Sequence, residues 1–345
     1  MARLVFITQQ VDPAHPALAA TVPKIRALAS RVDEVVVLAD GAAPDVLPEN
    51  CRVRTFRAPT RVGRGARFET ALGRELQGLR GGAVIAHMCP IYAVLAAPLV
   101  RPLGVPLVLW FTHWRASRLL QAAERVSTAV ASVDRRSFPL ESRKVREIGH
   151  GIDLAEFACD PPPVRENGFR LLALGRYSSA KGLDVVLRAL AYVGEGVGLD
   201  VYGPSLSDDE RTCRAGLERL ATELGLDGRV TLGEAVSRAD VPTLLSAHDA
   251  LVNNMRAGAP DKVVYEAAAG CLPVLASNPV FDALLDEEQR FPREDAHTLA
   301  DRIRALAALD ADERAALGRR LRERVEKGHS VESWADGVLG AAGIR

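Results

Sequence analysis

The sequence predicts an α/β protein made of two doubly wound, parallel-sheet domains, and three observations carry that expectation. Short β-branched runs alternate with helical patterns from end to end, the arrangement that builds parallel sheets covered by helices on both faces. A chain of 345 residues exceeds one ordinary core and suits two domains of about 150 to 170 residues each. Between the halves, the polar, proline-rich run CDPPPVRENG at 159–168 reads as an interdomain linker.

Taken in order, the apolar runs place strands at Leu4 to Thr8, Glu34 to Leu38, Val53 to Phe56, Ala83 to His87, Pro106 to Thr112, Thr128 to Ser132 and Val145 to Ile148 in the first half. In the second half they fall at Arg170 to Leu174, Leu199 to Tyr202, Val230 to Leu232, Ala250 to Asn253 and Pro273 to Ala276, with helices in the gaps. The domains expected are 1–157 and 169–330, joined by a linker at 158–168, with a final helix in 331–345 packing back toward the first domain. In open sheets of this kind ligands bind beyond the carboxyl ends of the strands, so two such domains in tandem would face each other across a cleft.

Composition narrows the function classes. An apolar fraction of 48% with 26% charged residues is that of a globular protein. The five cysteines include no C-x-x-C pair, so neither a zinc site nor a disulfide framework is expected, and a reducing cytoplasm fits. No segment reaches the ~18 apolar residues of a membrane span. Formal charge is zero overall but divided: up to Phe157 there are 21 Lys/Arg against 14 Asp/Glu, and beyond it 23 against 30. Eight arginines between Arg52 and Arg80 accompany only Glu69 and Glu75. A peripheral contact with an anionic membrane is one reading of that run, and a solvated arginine-rich face is the other. Nucleic acid is not expected, because the run lacks interleaved aromatic residues.

Two junctions carry the chemistry. In LLALGRYSSAKGLDVVLRAL, residues 171–190, Gly175 lets the chain turn after a strand, and Arg176 and Lys181 lie between the strand's carboxyl end and a helix expected to begin near Lys181. A helix N-terminus already carries partial positive charge, so cations placed there ask for an anion such as phosphate. In NNMRAGAPDKVVYEAAAGCLPVLAS, residues 253–277, a strand ends at Asn253, and a helix opens near Pro260 and Asp261 and closes at Gly270. The small residues Ala257 to Ala259 would let backbone amides approach an oxyanion. Glu266, a turn inside that helix, suits vicinal hydroxyls such as those of a ribose, or else an i,i+4 pair with Lys262.

Together with IGHGIDLAEF, RVTLGEAVSRADVPTLLSAHDALVNN and HSVESWADGVL, these segments resemble retaining glycosyltransferases of family 4, which have the GT-B fold. The resemblance implies that Arg176 and Lys181 bind the diphosphate of a UDP- or GDP-linked sugar, that Glu266 holds its ribose, and that Gly233 to Val236 contact the base. The amides of Ala257 and Gly258 would approach the phosphate or sugar. That family commonly carries two glutamates eight positions apart, whereas the position eight before Glu266 here is Gly258. Asp261 and Lys262 match a variant with Asp-Lys ahead of the ribose glutamate, which makes Lys262 a further phosphate or sugar ligand. On the acceptor side, the resemblance implies a cleft role for His113 in LVLWFTHWRAS, with His87, Gln9 and Gln10 as weaker candidates. The acceptor expected is a hydroxyl of a small molecule, glycan or lipid, and no cofactor beyond the nucleotide sugar is expected.

Competing signatures are missing. No G-x-x-x-x-G-K-[ST] occurs, and GRGARF at 63–68 lacks the third glycine of a dinucleotide fingerprint. The Asp310-x-Asp312 pair reads as a helix cap, so a metal-bridged diphosphate is not expected. A non-hydrolysing nucleotide-sugar epimerase and a non-catalytic nucleotide-binding protein of the same fold stand as the alternatives.

Overall fold

The computed structural model describes residues 2–15, 18–79, 81–159 and 168–344, so most of the expected linker and Arg80 lie outside the described residues. Strands β1 to β7 are Arg3–Val11, Glu34–Ala42, Cys51–Thr55, Ala83–His87, Leu107–Trp110, Ala129–Ser132 and Val145–Glu147. Strands β8 to β12 are Phe169–Leu174, Val197–Tyr202, Val230–Gly233, Ala250–Asn253 and Val274–Ala276. Helices α1 to α4 are Thr21–Ala29, Arg61–Leu76, Pro90–Val100 and Arg118–Val126, and α5 to α8 are Leu183–Tyr192, Asp208–Glu223, Val241–Ser246 and Lys262–Ala269. The last three, α9 to α11, are Ala296–Ala308, Ala311–His329 and Val331–Ala341. The chain divides into two compact units, one of residues 1–153 with 328–345 and the other of 154–327.

In the first unit all seven strands run parallel in the order β3-β2-β1-β4-β5-β6-β7. On one face Val5, Ile7, Val36, Leu38, Val84 and Ala86 pack beneath α2 and α3, where the rings of Phe56, Phe68 and Tyr92 lie 4.7 to 5.5 Å apart. On the other face Phe6 packs on His87, and His87 and Trp110 meet Trp334 of α11, with the two tryptophan rings edge to face at 5.7 Å. The Lys24 ammonium of α1 lies 4.9 and 5.1 Å from those two rings, a cation–π arrangement that compensates its burial. The terminal segment is stitched to the GHGI turn by backbone bonds from Gly151 and Ile152 to His329 O and from Val331 to Ile152 O. Gly149, at φ +75, is required there, because a Cβ would fall 2.8 Å from the carbonyl carbon of Gly328.

Two acceptor-side expectations change with this unit. Gln9 and Gln10 do not follow β1 but belong to it, since pairing with β2 continues to Val11 opposite Ala42 after the apolar run has ended. His87 is enclosed, 4% exposed, and neither ring nitrogen takes a hydrogen bond among the described residues. Burial, and then the charge of Lys24, drives its pKa well below the ordinary histidine value. Part of the arginine run is engaged in an ion-pair cluster at the surface of the fold. Arg3, Arg52 and Arg54 converge on Glu75, whose side chain is buried. Burial alone would raise that carboxyl's pKa, but the three guanidiniums outweigh it and hold it below the usual range.

The second unit carries a five-stranded parallel sheet in the order β10-β9-β8-β11-β12. Leu171, Ala173, Leu199 and Val252 pack against Val186, Leu187 and Leu190 of α5 and Ile303 of α9. Helix α6 opens on a capping box of Ser207 and Glu210, and α10 on reciprocal bonds between Asp310 and Glu313, so the first residue of the Asp-x-Asp pair is a cap. Cys159 and Cys271 form a disulfide, Cα–Cα 5.0 Å, which corrects the expectation that none is present. The two cysteines are 112 positions apart, and no local spacing announces a pair that the tertiary fold alone brings together. A disulfide is also out of keeping with the reducing compartment expected from the sequence. Among the described residues no helix is long and apolar enough to cross a membrane.

Buried histidines give the fold a pH dependence. Burial lowers the pKa of His329 to about 4. Below pH ~6.5 the unfolded chain therefore takes up a proton that the folded chain refuses, so stability is full above that value and is lost progressively as pH falls toward 4. For His329 alone the loss by pH 5 is about 2 kcal/mol, and His87 adds to it in the same direction. Urea unfolding at pH 7.5 and pH 5.0 should show this decrease, and His329→Gln should flatten part of it.

Candidate functional site

The second unit places the two junctions against each other at the carboxyl ends of β8 and β11. Gly175 takes φ +131 directly after β8, and a Cβ there would lie 2.7 Å from Lys181 Cε, so glycine is what lets the lysine chain cross the turn. Residues Ser179–Lys181 form a single 3-10 turn, Gly182 takes φ +53, and α5 begins at Leu183. Lys181 thus precedes the helix by two residues instead of opening it. Its ammonium turns back to Leu174 O at 3.0 Å and to the Asp261 carboxylate. Asn253, at the end of β11, donates to the same carboxylate oxygen at 2.8 Å. The two loops are further joined by Arg256 N to Ala180 O at 3.0 Å and Asn254 Nδ2 to Gly182 O at 2.9 Å.

Asp261 is the N-cap of α8, and Lys262 and Glu266 follow on one face of that helix. Glu266 Oε1 receives both Lys262 Nζ and Arg238 Nη1, each at 2.6 Å, and the glutamate side chain is 6% exposed. Arg238 also pairs with Glu156 and lies over the Phe157 ring at 5.3 Å. Among the described residues nothing donates to the other oxygen, Oε2. The preceding loop is shaped by buried Asn278, whose Nδ2 donates to Arg256 O at 2.9 Å and Ala259 O at 2.8 Å. Gly258 takes φ +79, and its amide, expected to face an anion, donates to Asn278 Oδ1 at 3.3 Å. Ala257 is exposed beside it.

Other expected residues have their hydrogen-bond partners outside this run. The Arg176 guanidinium is 66% exposed and lies 3.4 Å from Glu210 Oε1 of α6. The Gly233 carbonyl, at the end of β10, accepts the buried Tyr177 hydroxyl at 2.7 Å, and Val236 is half-buried in the loop that follows. His113 belongs to the first unit, three residues beyond β5, where its Nδ1 accepts from Arg115 N at 2.9 Å and its ring stacks on Trp114. Burial, and then the Arg115 charge, lowers its pKa, so the ring is neutral at pH 7. The structure therefore unites Lys181, Asp261, Lys262 and Glu266, and gives Arg176 a different partner. Asn253, Arg238 and Asn278 were not foreseen as site residues: their partners lie 8, 28 and up to 22 positions away, and only Asn253 was marked, as a strand end. Among the described residues no group of three or more His, Cys, Asp or Glu is arranged to hold a metal.

Residues 159–324 match the family model for Glycosyl transferases group 1. All the residues of that run lie within the matched group 1 segment. No curated protein matches the chain by sequence. Among solved structures, sucrose-phosphate synthase (tll1590) from Thermosynechococcus elongatus superposes with a TM-score of 0.72 at 19% identity, over 99% of this chain and 98% of that one. Anabaena Alr3699/HepE, solved in complex with UDP and glucose, gives 0.74 at 17% identity over 99% of both chains. A glycosyltransferase from Rickettsia africae ESF-5 gives 0.75 at 12%, over 99% and 97%. The architecture is that of GT-B glycosyltransferases, two parallel-sheet α/β domains.

Asn278→Ala would leave the Arg256 and Ala259 carbonyls and the Gly258 amide without their partner, and should cost about 2 to 3 kcal/mol. Chemical unfolding measures this, and an unchanged midpoint would mean that water replaces the side chain.

Proposed function

We propose that the protein transfers a sugar from a nucleoside diphosphate sugar to an acceptor hydroxyl with retention of anomeric configuration, as the family 4 resemblance implies. The observation that carries this reading is the run Lys181, Asp261, Lys262 and Glu266 across two strand-to-helix junctions, inside the segment that matches the group 1 family. Anabaena Alr3699/HepE was solved with UDP and with UDP-glucose, which makes uridine nucleotides the first donors to try here.

In this reading the diphosphate lies at the N-terminus of α8, near Lys181 and Lys262. Each of those lysines already has a carboxylate partner, which aims it but cancels its charge locally. The negative charge that develops on the departing phosphate is met by a remaining N–H of Lys181 and by Arg176, which is exposed enough to swing from Glu210, together with the amides of the helix end. Cations that bind this charge more tightly in the transition state than in the ground state raise turnover. Glu266, held through Oε1, offers Oε2 to the ribose hydroxyls. The acceptor attacks on the face that the phosphate leaves, and the phosphate takes its proton. The diphosphate is held by these groups without a bridging metal, so EDTA should leave turnover unchanged.

Charge-assisted hydrogen bonds of ~1.5 to 3 kcal/mol imply that Arg176→Ala and Lys181→Ala each lower kcat/KM roughly 10 to 150 fold. Steady-state kinetics on the donor that turns over, with proton NMR of the product anomer, tests this. Wild-type kinetics in both variants would refute the assignment, and an inverted product would refute retention.

A further inference from the structure

The first unit has a concavity of its own, about 950 Å³, at the carboxyl ends of β1 and β2 beside the first turns of α2 and α3. Its size is in the range of small-molecule sites, roughly 300 to 1,000 Å³. One wall is polar. Gln9 and Gln10 line it with Asp40, whose Oδ2 receives Arg64 Nη1 at 3.0 Å. The lining also has an apolar part open to water, formed by Val62, Ile91 and Leu119 at 84%, 42% and 40% exposure. Seven large hydrophobic residues are exposed among the described residues, and three of them gather here.

Each part restricts the occupant. Exposed apolar side chains grouped on one concave surface gain free energy when something apolar covers them. The formal charges lining the space cancel, with Arg61 and Arg64 against Asp40 and Glu69, so neither an anionic nor a cationic ligand finds a complementary field. Glutamine amides both donate and accept, which matches a hydroxyl, itself donor and acceptor, better than a phosphate, which only accepts.

We propose that this pocket takes the acceptor as a neutral molecule joining a hydroxyl-bearing group to an alkyl or aryl portion, with the hydroxyls on Gln9, Gln10 and Asp40 and the apolar portion on Val62, Ile91 and Leu119. The word acceptor rests on the glycosyl transfer reading, whereas the ligand chemistry rests on the pocket alone. The same chemistry reaches a protein either as a soluble glycoside or as a glycolipid in a bilayer.

The test is binding without any donor. Butyl, hexyl and octyl β-glucosides, kept below their micelle concentrations, are titrated by calorimetry against the full chain, with glucose 6-phosphate in parallel. Affinity should rise about fourfold for each added methylene until the wall is covered, and glucose 6-phosphate should bind more weakly than any of the three. Val62→Asp should weaken octyl glucoside binding at least tenfold with an unchanged melting temperature, and Leu103→Asp, at an exposed leucine outside the pocket, should leave it unchanged. A second arm uses phosphatidylcholine vesicles carrying glucosyl diacylglycerol. Co-sedimentation lost in Val62→Asp would identify the bilayer as the source, and glucoside binding without co-sedimentation would identify a soluble acceptor.

Binding in neither arm, affinity independent of chain length, or tighter binding of glucose 6-phosphate would overturn the proposal. Failure of the transfer reading looks different: the glucosides would bind with the expected chain-length dependence while no nucleotide sugar turned over.

Discussion

The contact on which the candidate site depends is the ion pair between Lys181 and Asp261, made across the carboxyl ends of two adjacent parallel strands. The two groups are 80 positions apart in sequence, and each is aimed by the turn that precedes its helix. Lys181 reaches Asp261 because Gly175 carries no Cβ and because Gly182 turns the chain before α5 begins. Asp261 is aimed by its position as the N-cap of α8 and by the Asn253 amide. Removing either member of the pair leaves a mostly buried charge without its partner, a costlier change than the loss of an exposed pair. The ion pair thus ties loop geometry to the electrostatics of the site.

Compensated charges recur through this region. Glu266 balances Lys262 and Arg238 with one oxygen, and Arg238 passes on to Glu156. Such a network is rigid and close to neutral, so it orients groups without itself attracting a polyanion strongly. Under the proposed transfer reading, attraction falls to the exposed Arg176 and to the backbone amides at the start of α8. In that reading buried pairs fix direction, and an exposed arginine with a rotatable stem supplies charge where a ligand demands it.

All twelve expected strands are present in the structure, and the fully buried ones, such as Ala83–His87, stand out because they are apolar along almost their whole length. Strand ends were less legible. Pairing with β2 carries β1 through the polar Gln9 and Gln10, and no property of those two residues alone signals it. The helix start at Leu183 was displaced because the left-handed turn at Gly182 looks in sequence like any other glycine. Candidate residues in the strand-to-helix junctions, Lys181 and Asp261 among them, could be named from local pattern. Residues that act through distant partners could not: Arg238 bonds across 28 positions, and Cys159 reaches Cys271 across 112. The enclosure of His87 followed from α11 covering one face of the first sheet, a packing arrangement that strand pattern does not specify.

A crystal structure with UDP bound tests the central claim most directly. The account requires the pyrophosphate at the N-terminus of α8, with at least one oxygen within hydrogen-bonding distance of Lys181 or Lys262 and the ribose hydroxyls on Glu266. A pyrophosphate found away from both strand-to-helix junctions, with the Lys181–Asp261 pair undisturbed and facing solvent, would contradict it.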